Sequence, residues 1–226
     1  MKFTWRTEWP LWALLLAMFA LAAITWPHAP DRIPVHWGLN GEVDRYGGKF
    51  EGLALIPLLG LGTYLLFIVV PRLDPGRANY AQFAGPYTLL RFSILVILAL
   101  VDGIIHLWIR GVTVSVGMLA PLFVGGLFLV MGSVLGKIRP NWFVGIRTPW
   151  TLSSKLAWTK THRAGGWVFM ISGLLVALAG ALNSRPALIG AIALAGVGVL
   201  GTVVYSYFVW HGDPDRVPPA GTTPAD

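Results

Sequence analysis

The chain has 226 residues, of which 55% are hydrophobic and only 12% carry a charge, about half the charged share of an ordinary soluble domain. A soluble globular domain is excluded, and the absence of cysteine excludes disulfides and thiolate metal or redox sites. The net charge of +7 has no basic soluble module to carry it, so direct nucleic-acid binding is excluded too, and where the cations lie along the chain becomes the informative quantity.

A bilayer core about 30 Å thick takes about 20 apolar residues per helical crossing. Six predominantly apolar runs have that length: 9–27, 53–71, 87–109, 113–135, 164–183 and 187–210, of which only 87–109 holds charged residues, Arg91 and Asp102. They predict an all-α, polytopic membrane protein built as a bundle of six transmembrane helices. Lys2, Arg6 and "ALAA" give the first run some features of a cleavable signal peptide. Its length, and the Trp5, Trp9, Trp12 and Trp26 that bracket it, instead describe a span with an aromatic belt.

Span one leads into a long loop, residues 28–52, "HAPDRIPVHWGLNGEVDRYGGKFEG". Its Gly and Asn positions permit tight turns, so an ordered cap is expected, with Pro34, His36, Gly41, Asp44 and Lys49 as candidate binding residues. "YGGK" is not a phosphate loop, because Val43 stands where the first glycine would be and no Ser or Thr follows Lys49.

Span three carries Asp102, His106 and Arg110 at i, i+4 and i+8, a single helical stripe. Ionisable groups at that depth are costly in lipid and should face the bundle interior. Three readings stay open for Asp102 and His106: a hydrogen-bonded packing stripe with Arg110, a ligand pocket that includes His36, or a metal site built from His36, Asp102 and His106. No short-range metal motif such as HExxH supports the third.

Between spans four and five lies the second long loop, 136–163, which includes "NWFVGIRTPWTLSSKLAWTKTHR". Pro149 and Thr151 suggest the start of a short amphipathic helix, with Leu152, Leu156 and Thr159 on one side and Lys155, Lys160 and Arg163 elsewhere. One reading is an interfacial anchor, with Trp142, Trp150 and Trp158 at headgroup depth. The other is a shaped binding site, in which Asn141 and Arg147 donate hydrogen bonds to an acidic group or to helix ends.

Gly173, Ala177 and Ala181 in span five recur every fourth residue, as do Ala187, Ala191 and Ala195 and then Gly198, Thr202 and Ser206 in span six, which allows close backbone approach. "NSRP", 183–186, is a tight hairpin, and the Pro-rich tail 211–226 is expected to be disordered. The chain divides into a half at 1–110, carrying loop 28–52, and a half at 111–210, carrying loop 136–163, an arrangement consistent with inverted repeats. With a cytoplasmic N-terminus, inside segments hold twelve of the seventeen Lys and Arg, and outside segments hold five: Arg32, Arg45, Lys49, Arg110 and Arg185. The positive-inside rule therefore puts both termini and the second loop in the cytoplasm and the first loop outside.

"RPNWFVGIRTPWTLSSKLAWTKTHRAGG" resembles the signature of the SdpI-type immunity membrane proteins. "PDRIPVHWGLNGEVDRYGGK" resembles the domain of unknown function that usually precedes that signature. The resemblance implies a multi-pass protein of the bacterial cytoplasmic membrane that protects its cell from a secreted antimicrobial peptide. In some members it also implies a report to a cytoplasmic repressor. The matching inner positions are Asn141, Gly145, Arg147, Thr148, Pro149, Trp150, Trp158, Thr161, His162 and Arg163, and the outer ones are Pro34, His36, Gly41 and Lys49. Lys155 and Leu156 stand where many relatives carry acids. The expected partners are the peptide, met at an outer cap holding Asp31, Glu42, Asp44 and Glu51, a cytoplasmic repressor, and the lipid bilayer. No catalytic residue or cofactor is implied, since no GxSxG, HExxH or paired carboxylates are present. The alternatives from other classes are a small-solute transporter and a membrane metalloenzyme using His36, Asp102 and His106.

Overall fold

The computed structural model describes residues 3–217. Of the tail 211–226, expected to be disordered, residues 218–226 lie outside the described residues, while His211 ends the last helix and Asp213 is buried. The elements are α1 (Trp5–Thr25), β1 (Ile33–Trp37), β2 (Val43–Gly47), α2 (Leu55–Leu73), α3 (Ala84–Ile109), α4 (Val116–Leu135), α5 (Pro149–Leu152), α6 (Lys155–Ala181) and α7 (Arg185–His211). A π turn, Phe50–Ala54, leads into α2, and a 3-10 segment, Arg77–Phe83, leads into α3. Six of the helices, all but the four-residue α5, are long and apolar enough to cross a bilayer.

The expected ordered cap is a two-stranded antiparallel hairpin, with Ile33 opposite Gly47 and Trp37 opposite Val43. An isolated hairpin of this size is marginal in water, so it has to be fastened. Ile33 is fully buried and joins Ala22, Leu53 and Ile105 in one apolar cluster, which seats the base of the hairpin on α1 and α3. Gly41 lies at the tip with φ +77°, and a Cβ there would stand 2.5 Å from the backbone nitrogen of Gly117. The tip therefore rests directly on the start of α4.

The tightest helix pair is α4 with α6. A Cβ on Gly125 would lie 2.6 Å from the Gly173 carbonyl oxygen, and one on Gly132 would lie 2.6 Å from that of Gly166. Gly180 meets Pro121 and Met118 in the same way. These contacts run antiparallel at seven-residue intervals, so backbone lies on backbone along most of both helices. The sequence pattern singled out Gly173 and Ala177, but the facing glycines of α4 emerge only from the fold.

The stretch from 149 to 163 differs from the expected single amphipathic helix. Pro149–Leu152 is one isolated turn, and Ser154 caps α6, accepting a hydrogen bond from the Ala157 amide at 2.8 Å. Residues 155–163 are the first turns of a membrane-spanning helix. The reason is their inward face: Ala157, Trp158, Thr161 and His162 are buried, while Lys155, Leu156, Lys160 and Arg163 point outward.

The hairpin, the α3–α4 turn and the α6–α7 turn share one end of the bundle. The start of α1, the α2–α3 connection, the loop 136–154 and the end of α7 share the other. These are called below the hairpin end and the loop end.

Candidate functional site

At the hairpin end the polar side chains are exposed and paired with one another. His36 Nδ1 meets Asp44 Oδ1 at 2.6 Å, with 62% and 51% of their side chains exposed. Arg45 pairs with Glu51, and Asn40 Nδ2 donates to Glu42 Oε2 at 2.6 Å. Asp31 is exposed, and Asp31 and Glu42 have no cationic partner among the described residues. Pro34 is buried, and Lys49 reaches back to the Trp26 carbonyl at 3.4 Å.

Asp102 and His106 lie inside the bundle, each only 1% exposed. His106 Nδ1 is 3.0 Å from Thr25 Oγ1, and its Nε2 is 3.7 Å from Asp102 Oδ2, too long for a hydrogen bond. Asp102 Oδ1 and His106 Nε2 have no partner among the described residues. The structure does not gather His36 with this pair: His36 is engaged on the exposed hairpin, and no group of three metal-ligating side chains occurs among the described residues. Arg110 is exposed and does not join the stripe.

At the loop end the signature residues are turned inward on their own backbone. Asn141, 2% exposed, donates through Nδ2 to the carbonyls of Arg139 and Val144, both at 2.9 Å. Its Oδ1 accepts from the amides of Phe143 at 2.9 Å and Val144 at 2.6 Å. One side chain thus replaces the backbone pairing that this irregular segment lacks. Arg147 is exposed and donates through one guanidinium nitrogen to the Trp142 carbonyl at 2.7 Å.

Thr148 caps α5 through a reciprocal pair with Thr151, and its hydroxyl also lies 3.0 Å from that of Ser206 on α7. Pro149 follows as the first residue of α5, and Trp150 packs edge-on against Tyr207, ring centroids 5.3 Å apart. Trp158 donates from Nε1 to the Ile138 carbonyl at 2.9 Å and stacks on His162 at 4.0 Å. His162 Nδ1 donates to the Trp158 carbonyl at 2.8 Å, which fixes the tautomer and leaves Nε2 to accept from the Ile146 amide at 3.0 Å. Gly145, at φ +115°, is the residue His162 presses on, since a Cβ there would lie 2.3 Å from Nε2. Thr161 is fully buried and Arg163 exposed.

Four acidic or basic participants, the last two forming a pair, were not singled out by the sequence. Asp74, 1% exposed, accepts from the Gly76 amide at 2.6 Å, the Tyr80 hydroxyl at 2.8 Å and the Trp142 amide at 3.0 Å, tying the α2–α3 connection to the signature loop. Asp213, beyond α7, accepts from the Ser154 hydroxyl. Glu8 on α1 and Arg91 on α3 form a buried two-pronged ion pair, 2.7 and 3.1 Å, to which Tyr64 of α2 adds a hydrogen bond at 3.0 Å. A sequence signal exists for the last: an acid and an arginine sit next to or inside apolar runs, where an unpaired charge is costly.

Six apolar spans, an ordered hairpin at one end and an internally bonded loop at the other define a polytopic membrane protein. Residues 137–206 match the SdpI/YfhL protein family, and residues 13–61 match the domain of unknown function DUF1648. The protein called Immunity protein SdpI, from Bacillus subtilis (strain 168), is 26% identical over 160 residues, which cover 71% of this chain and 74% of that protein. The chain is thus similar to the SdpI family over residues 137–206 and to its Bacillus subtilis member over most of its length. No solved structure gives a significant match. The matched segments contain the hairpin residues and the signature loop, whereas Asp102 and His106 fall between them.

Proposed function

We propose that this chain is a membrane immunity protein that engages a secreted cationic antimicrobial peptide at the hairpin end and relays its presence to a cytoplasmic regulator at the loop end. The observation that carries the reading is that α4 touches both polar regions: Gly117 lies under the hairpin tip, and Val134 and Leu135 pack in the cluster containing Trp158. The printed name of the Bacillus subtilis relative supports the immunity role. A cationic peptide would meet Asp31 and Glu42 directly, and would compete with His36 and Arg45 for Asp44 and Glu51. Displacing those contacts shifts the hairpin tip on α4, and the distal end of α4 carries the change to the loop.

The test challenges cells expressing wild type, His36→Ala or Arg147→Ala with a secreted cationic amphipathic peptide, after confirming equal membrane insertion. Both variants are expected to protect less well, His36→Ala because the hairpin then lacks the His36–Asp44 contact whose displacement starts the shift. Full protection by both would overturn this assignment of sites.

A further inference from the structure

Beneath the hairpin tip lies a cavity of about 770 Å³ between α4, α6 and α7. Its walls include Val124, Phe128, Phe169, Ile192, Gly196 and Leu200, and Trp37 and Leu39 of the hairpin form its roof. From Val116 to Phe128 it follows α4 for about 18 Å, close to the roughly 15 Å of hydrocarbon in one leaflet. Val124 is 43% exposed, Ile192 49% and Leu200 67%, so the cavity opens sideways toward lipid.

A second cavity, of about 210 Å³, shares Leu39, Gly117 and Leu188 with the first. The rest of its wall is Ala179 and four polar residues, Asn40, Asn183, Ser184 and Arg185. Arg185 is exposed and takes no part in the ion pairs among the described residues. The two cavities form an apolar shaft about one acyl chain deep, ending in a polar mouth that holds an unpaired guanidinium.

We infer that this joined cavity binds one phospholipid with an anionic headgroup, its phosphate at Arg185 and one acyl chain in the shaft beneath Trp37 and Leu39. A guanidinium suits phosphate because it offers parallel N–H donors as well as charge, and the amide and hydroxyl groups beside it supply further donors. A cationic peptide would meet Arg185 as a like charge. A helix about 10 Å wide and about 18 Å long occupies on the order of 1,400 Å³, nearly twice the shaft. The mouth adjoins the acids proposed to meet the peptide, since Asn40 donates to Glu42, but Arg185 itself pairs with none of them.

Native mass spectrometry of the purified full chain, released from detergent after incubation with equal amounts of phosphatidylglycerol and phosphatidylethanolamine, tests the inference. Wild type is expected to retain one phosphatidylglycerol per chain, in at least fivefold preference. Arg185→Gln should lose that preference. Gly196→Phe should lose the retained lipid, because a Cβ at Gly196 points into open space and the added ring enters the shaft without displacing protein atoms. Gly62→Phe on α2, where a Cβ also meets open space but no part of the cavity, should behave as wild type. Wild type without retained lipid, Arg185→Gln with unchanged preference, or Gly196→Phe with wild-type retention would each overturn the assignment. If Gly196→Phe fails to fold, the headgroup preference of the exposed Arg185→Gln decides alone. Displacement of the lipid by a cationic amphipathic peptide entering the shaft would likewise assign the cavity to a different occupant.

Discussion

At the hairpin end, His36 and Asp44 pair with more than half of each side chain in solvent, whereas at the loop end Asn141 is 2% exposed and satisfies four backbone groups. An exposed pair is worth about 0–1 kcal/mol and is easily exchanged for a contact to something else. A buried amide bonded on every side is different, because each group it abandons costs about 1–3 kcal/mol. The first kind of surface can trade partners, and the second holds one shape.

The comparison can be broken or sharpened by substitution, with thermal unfolding in detergent as the common measurement. The largest effect is expected from the buried pair at the loop end. Glu8→Gln or Arg91→Met alone strands one partner and should cost about 3–5 kcal/mol, while the double variant recovers most of the loss. Single variants that melt like wild type would show that the loop end is not held by buried charge. Asn141→Ala should cost about 3 kcal/mol, less than the sum over two amides and two carbonyls because these groups are only part-buried and water entering the space replaces some of the lost partners.

Gly41→Ala carries the comparison to the one rigid point of the hairpin. Its positive φ and the closeness of Gly117 predict a loss of about 1–2 kcal/mol, with faster amide exchange across residues 38–47. Unchanged exchange would mean that the tip is not clamped to α4. The smallest effect belongs to His36→Ala, expected to change stability by less than about 0.5 kcal/mol while weakening protection. A loss above about 1 kcal/mol would place His36 among the structural residues and erase the contrast between the ends.

The six crossings were legible because apolar length is a property of the sequence alone. Their ends were less so. An apolar window starts span five at 164, but α6 begins at Lys155, because outward-facing Lys155, Lys160 and Arg163 break the window while Trp158 and His162 continue the buried face. Glu8 and Arg91 could each be suspected from their place beside or inside an apolar run, but their pairing was hidden because 83 positions separate them. In the same way, the i, i+4 spacing of Asp102 and His106 was visible, but only the fold separates them from exposed Arg110 and from His36. The signature loop was recognisable as a unit. That the Asn141 amide and His162 imidazole are bonded inward is a property of the folded loop, in which Asn141 meets four backbone groups and Gly145 lies against His162, and no spacing rule contains it.

The glycine seam between α4 and α6 restricts how these two helices can move. With carbonyl oxygens occupying the places where methyl groups would otherwise sit, neither helix can slide past the other or rotate about its own axis without a collision. The pair therefore forms a stiff two-ply plank, so the relay we propose would turn a push from the hairpin into lean. The lower rim, where Arg163 stands beside Gly136, would then swing sideways along the membrane plane instead of plunging through it.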